Sequence, residues 1–277
     1  GVICWGSNEY GQTNVPELIS PYYISASEYG TCALDSGNPK GAVCWGFENI
    51  GWNPFSYDPS PVAVPDLINP TMISAGQLYA CALDDTGLVC WGHGGNDQLS
   101  VPADLSNPNQ VEAGGNNTCA IDDTGLVCWG LNAYFGELPP TLANPYEVSS
   151  SEVVLCALSD NGPQCWARSI HADSGWIVPH LSPPSIDNLK ALSTGKDFSC
   201  ALNDSEVICW GAGIMVNFPE KSSSQYFPKL INPVQLEVGI DFACALDAAG
   251  VVCWGSDDYG QTWDTVNTNI DENTLIS

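Results

Sequence analysis

The stretch that decides the fold is Cys81-Ala82-Leu83-Asp84-Asp85-Thr86-Gly87-Leu88-Val89-Cys90-Trp91-Gly92. Its two ends are apolar, β-branched or aromatic, and its middle has the Asp, Thr and Gly of a tight turn. A two-residue turn at Asp85-Thr86 places Cys81 opposite Cys90 at a non-hydrogen-bonded site, where Cα atoms are about 4.5 Å apart. A disulfide spans that distance. The stretch therefore predicts a β-hairpin with a cysteine pair across it.

This hairpin recurs along the chain. Cys-Trp occurs seven times at intervals of 37 to 46 residues, and Cys-Ala followed by Leu or Ile occurs six times. A third segment, such as Pro70–Gly76, precedes the Cys-Ala segment of each repeat. Self-similarity with a period of roughly 20 to 50 residues is typical of propellers and solenoids. The Cys-Trp pairs begin at Cys4, Cys44, Cys90, Cys128, Cys165, Cys209 and Cys253.

The composition favours strands over helices. No window has the apolar period of an α-helix, and 27 Gly with 20 Pro argue against long helices. Four-stranded antiparallel sheets repeated around an axis would protect the edges of such short strands. We therefore predict an all-β fold, a seven-bladed β-propeller of short antiparallel blades. It would be a single domain over residues 1–277, with seven repeats of about 40 residues.

The cysteines form six brackets and leave one over. Five brackets span ten residues, and the sixth, from Cys32 to Cys44, is three residues longer. Buried free thiols are one alternative; zinc ligation is another, although no histidine accompanies the brackets. Disulfides would favour an oxidising compartment, so we expect an extracellular or cell-surface protein. The expected disulfides are Cys32–Cys44, Cys81–Cys90, Cys119–Cys128, Cys156–Cys165, Cys200–Cys209 and Cys244–Cys253.

Cys4 has no bracket partner, because the Cys-Ala strand that would face it would have to follow Ser277. We therefore expect the last blade to be incomplete and Cys4 to be unpaired.

The charge narrows the classes of partner. The chain has 32 Asp and Glu against 6 Lys and Arg, a formal net charge of −26 at pH 7. Such a charge repels nucleic-acid phosphates and anionic lipid, so no nucleic-acid partner is expected. No apolar run of 18 residues occurs, so no membrane insertion is predicted. A protein partner and self-assembly remain open.

The order Cys-Ala-Leu, turn, Val-Cys-Trp-Gly and then Tyr-Gly-Gln-Thr resembles the repeats of the regulator-of-chromosome-condensation family. The last element is clear in Val2–Pro16 and again from Trp254 to Thr262, and it decays at Gly136-Glu137-Leu138. The resemblance covers the whole chain and implies a seven-bladed propeller. The short blades look most like secreted bacterial propellers that inhibit β-lactamases, and the paired cysteines resemble propellers exported by bacteria. The nuclear member of the family acts on a small GTPase and touches chromatin, a role that the charge and the disulfides argue against here.

An antiparallel meander puts alternate turns on opposite faces. The hairpin turns, such as Asp84–Gly87, would share one acidic face, and the loops before Cys-Ala and after Cys-Trp-Gly would share the other. In the inhibitory propellers that the chain resembles, the loop before the Ala-Leu strand supplies aromatic contacts. The matching residues are Tyr29, Tyr79, Phe198 and Phe242, with Asn117 and Val154 in the remaining blades. The alternative is that several of these side chains pack between blades.

The resulting hypothesis is an extracellular propeller that presents an aromatic-rich loop face to a protein partner. Its contact residues would be Tyr10, Tyr29, Trp52, Tyr79, Tyr134, Phe198, Phe242 and Tyr259. The repeated tryptophans are expected in the core.

Two other functions remain open. One is a structural surface module, such as an adhesin or a filament or surface-layer component. The other is a glycan-acting enzyme with a carboxylate pair in a central funnel. No motif for catalysis or metal binding occurs, and His93, His171 and His180 occupy unrelated positions. We therefore expect no catalytic residues, no metal and no cofactor, and a protein that is not an enzyme.

Overall fold

The computed structural model describes residues 1–46, 63–131, 142–151, 154–167, 183–184, 188–196, 198–204, 206–211 and 230–262. Within these ranges the chain forms eighteen strands in six three-stranded antiparallel sheets, each made of consecutive strands. No helix in the described ranges is long and apolar enough to cross a membrane. The sheets are the blades of a β-propeller fold, as the repeats predict, and we number them in chain order.

The chain forms two compact units. The first unit, residues 1–131, contains blades 1 to 3. Blade 1 consists of β1 (Pro21–Ala26), β2 (Gly30–Asp35) and β3 (Ala42–Gly46), and blade 2 consists of β4 (Met72–Ala75), β5 (Tyr79–Asp84) and β6 (Gly87–Gly92). Blade 3 consists of β7 (Gln110–Ala113), β8 (Asn117–Asp122) and β9 (Gly125–Gly130). The second unit, residues 132–272, contains blades 4 to 6. Blade 4 consists of β10 (Glu147–Ser150), β11 (Val154–Ser159) and β12 (Gly162–Ala167), and blade 5 consists of β13 (Ala191–Thr194), β14 (Phe198–Leu202) and β15 (Val207–Gly211). Blade 6 consists of β16 (Gln235–Val238), β17 (Phe242–Asp247) and β18 (Gly250–Gly255). A single domain over residues 1–277 stays a prediction.

The hairpin has the predicted register. Cys81 pairs with Cys90 and Asp84 with Gly87, so the turn is Asp85-Thr86. All six predicted disulfides are present, with Cα atoms 4.0 to 4.1 Å apart. Cys4 is a half-buried free thiol, as predicted, and burial raises its pKa. Residues 263–277, which belong to the predicted seventh repeat, lie outside the described residues.

The expectation of four strands in each sheet is wrong for blade 2. The structure describes the whole segment between blade 2 and blade 3. Residues 93–109 leave blade 2 and form no strand. Their backbone groups bond locally instead, as where Asp97 N donates to Gly94 O at 3.3 Å and Ser100 N to Asp97 O at 3.0 Å. Gly, Asn, Asp and Pro in this segment favour such turns over an edge strand.

The tryptophan of the Cys-Trp pair lies in the core of most repeats. Trp45, Trp91, Trp129, Trp210 and Trp254 are buried, whereas Trp5 and Trp166 are half-buried. The glycine that follows is required by close approach: Gly92 has a φ of 116°, and a Cβ there would lie 2.6 Å from the Cα of Tyr79. The middle strand of a blade is buried between its two neighbours, which explains its small alanines.

Successive blades within a unit pack through their first strands and the apolar side chains behind them. Leu34 of blade 1 and Ile73 of blade 2 belong to one buried cluster. A serine on the first strand, opposite the cysteine of the middle strand, accepts a backbone N–H from the next blade. Ser25 Oγ accepts from Ala75 N at 2.9 Å, and Ser74 Oγ accepts from Ala113 N at 2.9 Å. The second unit repeats this with Ser149 and Thr194 N at 3.0 Å and with Ser193 and Val238 N at 2.9 Å.

A carboxylate at the end of the middle strand fixes both the hairpin turn and the segment that enters the blade. In blade 3, Asp122 accepts Ser106 N at 2.8 Å, Thr124 N at 2.7 Å and Gly125 N at 3.1 Å. Burial alone would raise the pKa of Asp122, but these hydrogen bonds outweigh burial and hold the pKa below its usual value. We call this arrangement the aspartate clamp. Asp35, Asp84 and Asp247 form it in blades 1, 2 and 6.

A half-buried carboxylate of opposite behaviour, Glu147, joins blades 4 and 5. Glu147 Oε1 accepts the N–H of Leu192 at 2.9 Å. The pKa of Glu147 is raised to about 7, chiefly by burial; the Leu192 N–H opposes this rise and the nearby Glu237 adds to it. The charged form of Glu147 is therefore less stable in the folded protein than in the unfolded chain.

Replacing Asp122 by Ala should lower the free energy of unfolding by about 2–3 kcal/mol, because the buried N–H groups that it satisfies lose their acceptor. Urea unfolding measures the change. The matched control is Asp123→Ala, because Asp123 is the exposed neighbour in the same turn and should change stability by less than about 1 kcal/mol. Equal destabilisation by the two substitutions would contradict the clamp.

Glu147→Gln should stabilise the protein in a pH-dependent way. Below pH 4.5 the carboxyl is protonated in both states; between 4.5 and about 7 the unfolded chain loses its proton first, so wild-type stability falls as the pH rises. The stability gap between variant and wild type should be small near pH 4.5 and grow to at most about 3 kcal/mol at pH 8, since one pKa unit is about 1.4 kcal/mol. Thermal melts across this range measure the gap. The exposed Glu17→Gln should give a flat difference, and a flat difference for Glu147→Gln would refute the assignment.

Candidate protein-binding surface

Two copies of one loop present a tyrosine to solvent. The loops are Ser7–Thr13, in the first unit, and Ser256–Thr262, in the second. The glutamine side chain folds back in both, so that Tyr10 N donates to Gln12 Oε1 at 2.9 Å and Tyr259 N donates to Gln261 Oε1 at 2.8 Å. The intervening glycines have φ of 78° and 74°, which glycine adopts without strain. Tyr10 is 40% exposed and Tyr259 is 59% exposed.

A third copy of the loop, His93–Leu99, forms without a tyrosine. Asn96 N donates to Gln98 Oε1 at 2.8 Å, and Asp97 takes the glycine position with a φ of 61°. Asn96 thus stands where the other loops have tyrosine. Asn96 Nδ2 donates to Asn116 Oδ1 at 2.9 Å, in the place of the contact that Tyr10 makes with Tyr29 in blade 1. The loop geometry therefore does not require an aromatic side chain at this position.

Hydrogen bonds hold two of the three loops on the blade that follows. Gln12 O accepts from Trp45 Nε1 at 3.0 Å and from Thr31 Oγ1 at 3.1 Å. In the third copy, the Gln98 carbonyl accepts from the tryptophan and threonine at the same places of blade 3, each at 2.8 Å. The carbonyl of the glutamine therefore satisfies a buried indole N–H and fixes the loop at the same time.

Tyr10 and Tyr29 contact each other. Their aromatic rings pack edge to face, with centroids 5.0 Å apart and an interplanar angle of 89°. Glu28 adjoins them: its carbonyl accepts from Gln12 Nε2 at 3.3 Å, and its carboxylate accepts from Gln77 Nε2 of the neighbouring blade at 2.9 Å. We call Tyr10, Glu28, Tyr29 and Gln77 the tyrosine cluster. Sequence analysis did not identify Glu28 and Gln77, because it selected aromatic residues and these two are not aromatic.

The expectation that Tyr79 and Phe198 are exposed is wrong. They are 0% and 1% exposed. Tyr79 stands two residues before its cysteine, whereas Tyr29 stands three residues before Cys32, and successive strand residues point to opposite faces. The Tyr79 hydroxyl donates to Asn117 O at 2.5 Å and lies 3.0 Å from Thr118 Oγ1, and burial raises the pKa of Tyr79. These two side chains follow the alternative prediction of packing between blades.

Phe242 has the register of Tyr79 and is half-buried. Its aromatic ring covers Gly239, where a Cβ would lie 2.2 Å from the ring. Trp52 and Tyr134 lie outside the described residues. Contact with a partner through Tyr10, Tyr29, Phe242 or Tyr259 stays a prediction.

One glutamate of blade 4 and one of blade 6 make hydrogen bonds to blade 5. Glu147 accepts a backbone N–H of blade 5, and Glu237 Oε2 accepts from Ser193 Oγ at 3.4 Å. In the part of the chain that the structure describes, no group of three or more His, Cys, Asp or Glu side chains could hold a metal ion. That the protein is not an enzyme stays a prediction.

No known protein-family profile matches the chain, and no curated protein matches it. Solved structures do resemble it. The CRINKLY WD40 ectodomain of the receptor kinase ACR4 from Arabidopsis thaliana is 21% identical, with a TM-score of 0.65 over 91% of this chain and 86% of that one. The entire ectodomain of the receptor kinase CR4 from Physcomitrella patens is 21% identical, with a TM-score of 0.64 over 92% of this chain and 67% of that one.

Prp20p from Saccharomyces cerevisiae, the yeast RCC1, is 16% identical, with a TM-score of 0.61 over 86% of this chain and 76% of that one. At these identities the likeness concerns the fold. The chain has a β-propeller fold like that of the regulator of chromosome condensation, as its Cys-Trp-Gly repeats predict.

Proposed function

We propose that the protein is an extracellular binding propeller that presents the tyrosine cluster to a protein partner. The observation that carries the proposal is the edge-to-face pair of Tyr10 and Tyr29, which the loop fold does not need and which leaves Tyr10 40% exposed. Six disulfides indicate an oxidising, extracellular environment.

The cluster has the physical properties of a binding hot spot. Tyrosine offers a large apolar surface with a polar end and is enriched among residues that dominate binding energy. Both rings are already ordered, Tyr10 by its loop and Tyr29 by the blade, so little conformational entropy would be lost on binding. Glu28 and Gln77 add hydrogen-bonding groups at the rim of the rings.

The structural relatives include proteins that bind proteins. One crystal structure shows Kap60 bound to yeast RCC1 (Prp20). Another was described together with the binding of Prp20p to Gsp1p and histones. The propellers of ACR4 and CR4 belong to receptor ectodomains. These likenesses support a protein-binding role for the fold and leave the partner of this chain to experiment.

The alternative function, a structural surface module, predicts ordered self-assembly. Analytical ultracentrifugation of the full chain distinguishes the two: a binding propeller stays monomeric over a wide concentration range until its partner is added.

Capture of the partner at the tyrosine cluster tests the proposed function. The full chain with p-benzoylphenylalanine in place of Tyr10 should crosslink to an extracellular protein on irradiation, and mass spectrometry identifies that protein. The same photoreactive residue in place of Tyr146, which is 51% exposed near the hairpin turn of blade 4, should not capture it. Equal capture from both positions would contradict the assignment.

The captured protein then serves in a binding measurement. Tyr10→Ala together with Tyr29→Ala should weaken binding by at least about tenfold, because both rings leave the interface. Tyr146→Ala is the matched control and should change the Kd by less than about twofold. A conservative pair, Tyr10→Phe and Tyr29→Phe, should retain most of the affinity. Wild-type binding by Tyr10→Ala, which removes only an exposed side chain, would refute the proposal.

A further inference from the structure

The segment that enters each blade repeats a pattern of its own. It runs Pro16-Glu17-Leu18-Ile19-Ser20-Pro21 before β1 and Pro65-Asp66-Leu67-Ile68-Asn69-Pro70 before β4. The leucine points inward, as Leu67 is 7% exposed, whereas the next residue points outward: Ile19 is 68% exposed and Ile68 is 52% exposed. The pattern therefore places an isoleucine in water in two successive blades.

The aspartate clamp holds these isoleucines in place beside the hairpin turns. Ile19 N donates to Asp35 Oδ2 and Ile68 N donates to Asp84 Oδ2, both at 2.8 Å. The same position in blade 3 is Ser106, whose N–H donates to Asp122 Oδ2 at 2.8 Å. Since serine fills the position without disturbing the clamp, the fold does not require isoleucine there.

Tyr22 links the two segments that carry these isoleucines. It stands three residues after Ile19, is 39% exposed, and donates its hydroxyl to Pro70 O at 2.5 Å, two residues from Ile68. We call Ile19, Tyr22 and Ile68 the turn-side patch. Contiguous exposed apolar surface on a soluble protein marks an interaction site more often than single exposed residues do.

The surroundings of the patch are acidic. Glu17, Asp66 and Asp85 are exposed beside it, and Asp85 N donates to Ile68 O at 2.9 Å. Lys40 is the only Lys or Arg in residues 1–131, and its Nζ donates to Val64 O at 2.7 Å. A partner with Lys or Arg around an apolar residue would complement this surface, whereas a second copy of the chain would bring acid against acid.

We propose that the turn-side patch binds a basic protein segment, with its large apolar residue on Ile19, Tyr22 and Ile68 and its cations on the acidic rim. This surface lies beside the hairpin turns, on the other side of blades 1 and 2 from the tyrosine cluster. The two interfaces would let one propeller hold two different proteins.

Peptide selection on the immobilised full chain tests the proposal. A random dodecapeptide display library is selected in parallel on the wild type and on a variant with Ile19→Ser, Tyr22→Ser and Ile68→Ser. Peptides enriched only by the wild type should carry a positive net charge and at least one large apolar residue. Synthetic versions should bind the variant at least about tenfold more weakly. Their affinity should also fall as NaCl rises from about 50 to about 300 mM, because the rim charges are exposed to screening.

Matched variants separate this surface from the tyrosine cluster. Tyr10→Ala with Tyr29→Ala should leave the peptide affinity unchanged, and Glu17→Gln with Asp66→Asn should lower both the affinity and its salt dependence. If the triple variant melts at a lower temperature, Ile68→Ser alone suffices, because it copies the serine of blade 3. Enriched peptides without positive charge, equal binding by the patch variant, or a wild-type dimer that the variant abolishes would each overturn the proposal.

Discussion

The structure depends on a carboxylate that two parts of a blade share. The aspartate at the end of the middle strand accepts N–H groups from the hairpin turn and from the residue that enters the first strand, as Asp84 does with Thr86 and Ile68. One side chain thereby fixes the turn, the register of the hairpin and the path of the chain into the blade. An entering segment that is fixed in this way has only one way to place its alternating side chains, which buries Leu67 and exposes Ile68.

The sequence predicted the hairpin and its disulfides well, because a two-residue turn leaves a single register for the cysteines. The sequence predicted less well which aromatic side chains are exposed, because exposure also depends on the register of each residue. Tyr29 and Tyr79 both precede a Cys-Ala strand, but they differ by one position relative to the cysteine, and a shift of one residue changes the face. Tyr79 is buried between blades, whereas Tyr29 is half-buried and contacts the exposed Tyr10. The contact of Glu28 with Gln77 joins two blades, and no local pattern in the sequence marks it.

The repeats also distinguish residues that the fold needs from residues that it tolerates. The loop of Tyr10 forms equally with Asn96, and the clamp beside Ile68 forms equally with Ser106. By contrast, the glutamine Oε1 accepts the backbone N–H two residues before it in all three loops. The clamp aspartate accepts N–H groups of both the entering segment and the hairpin turn in blades 1, 2, 3 and 6. Side chains that vary while these backbone contacts stay the same are therefore available for binding. Tyr10 of the tyrosine cluster and Ile19 and Ile68 of the turn-side patch are such side chains.

The acidic side chains have two roles, and the burial of a side chain determines which role it has. Carboxylates such as Asp35 and Asp122 are buried, accept backbone N–H groups and are part of the fold. Their neighbours Glu17, Asp66 and Asp123 face solvent. Because so few Lys and Arg side chains are present to pair with these exposed groups, their field extends into solvent and favours cationic partners. The net charge of −26 therefore reflects both how the blades hold together and which protein surfaces they can attract.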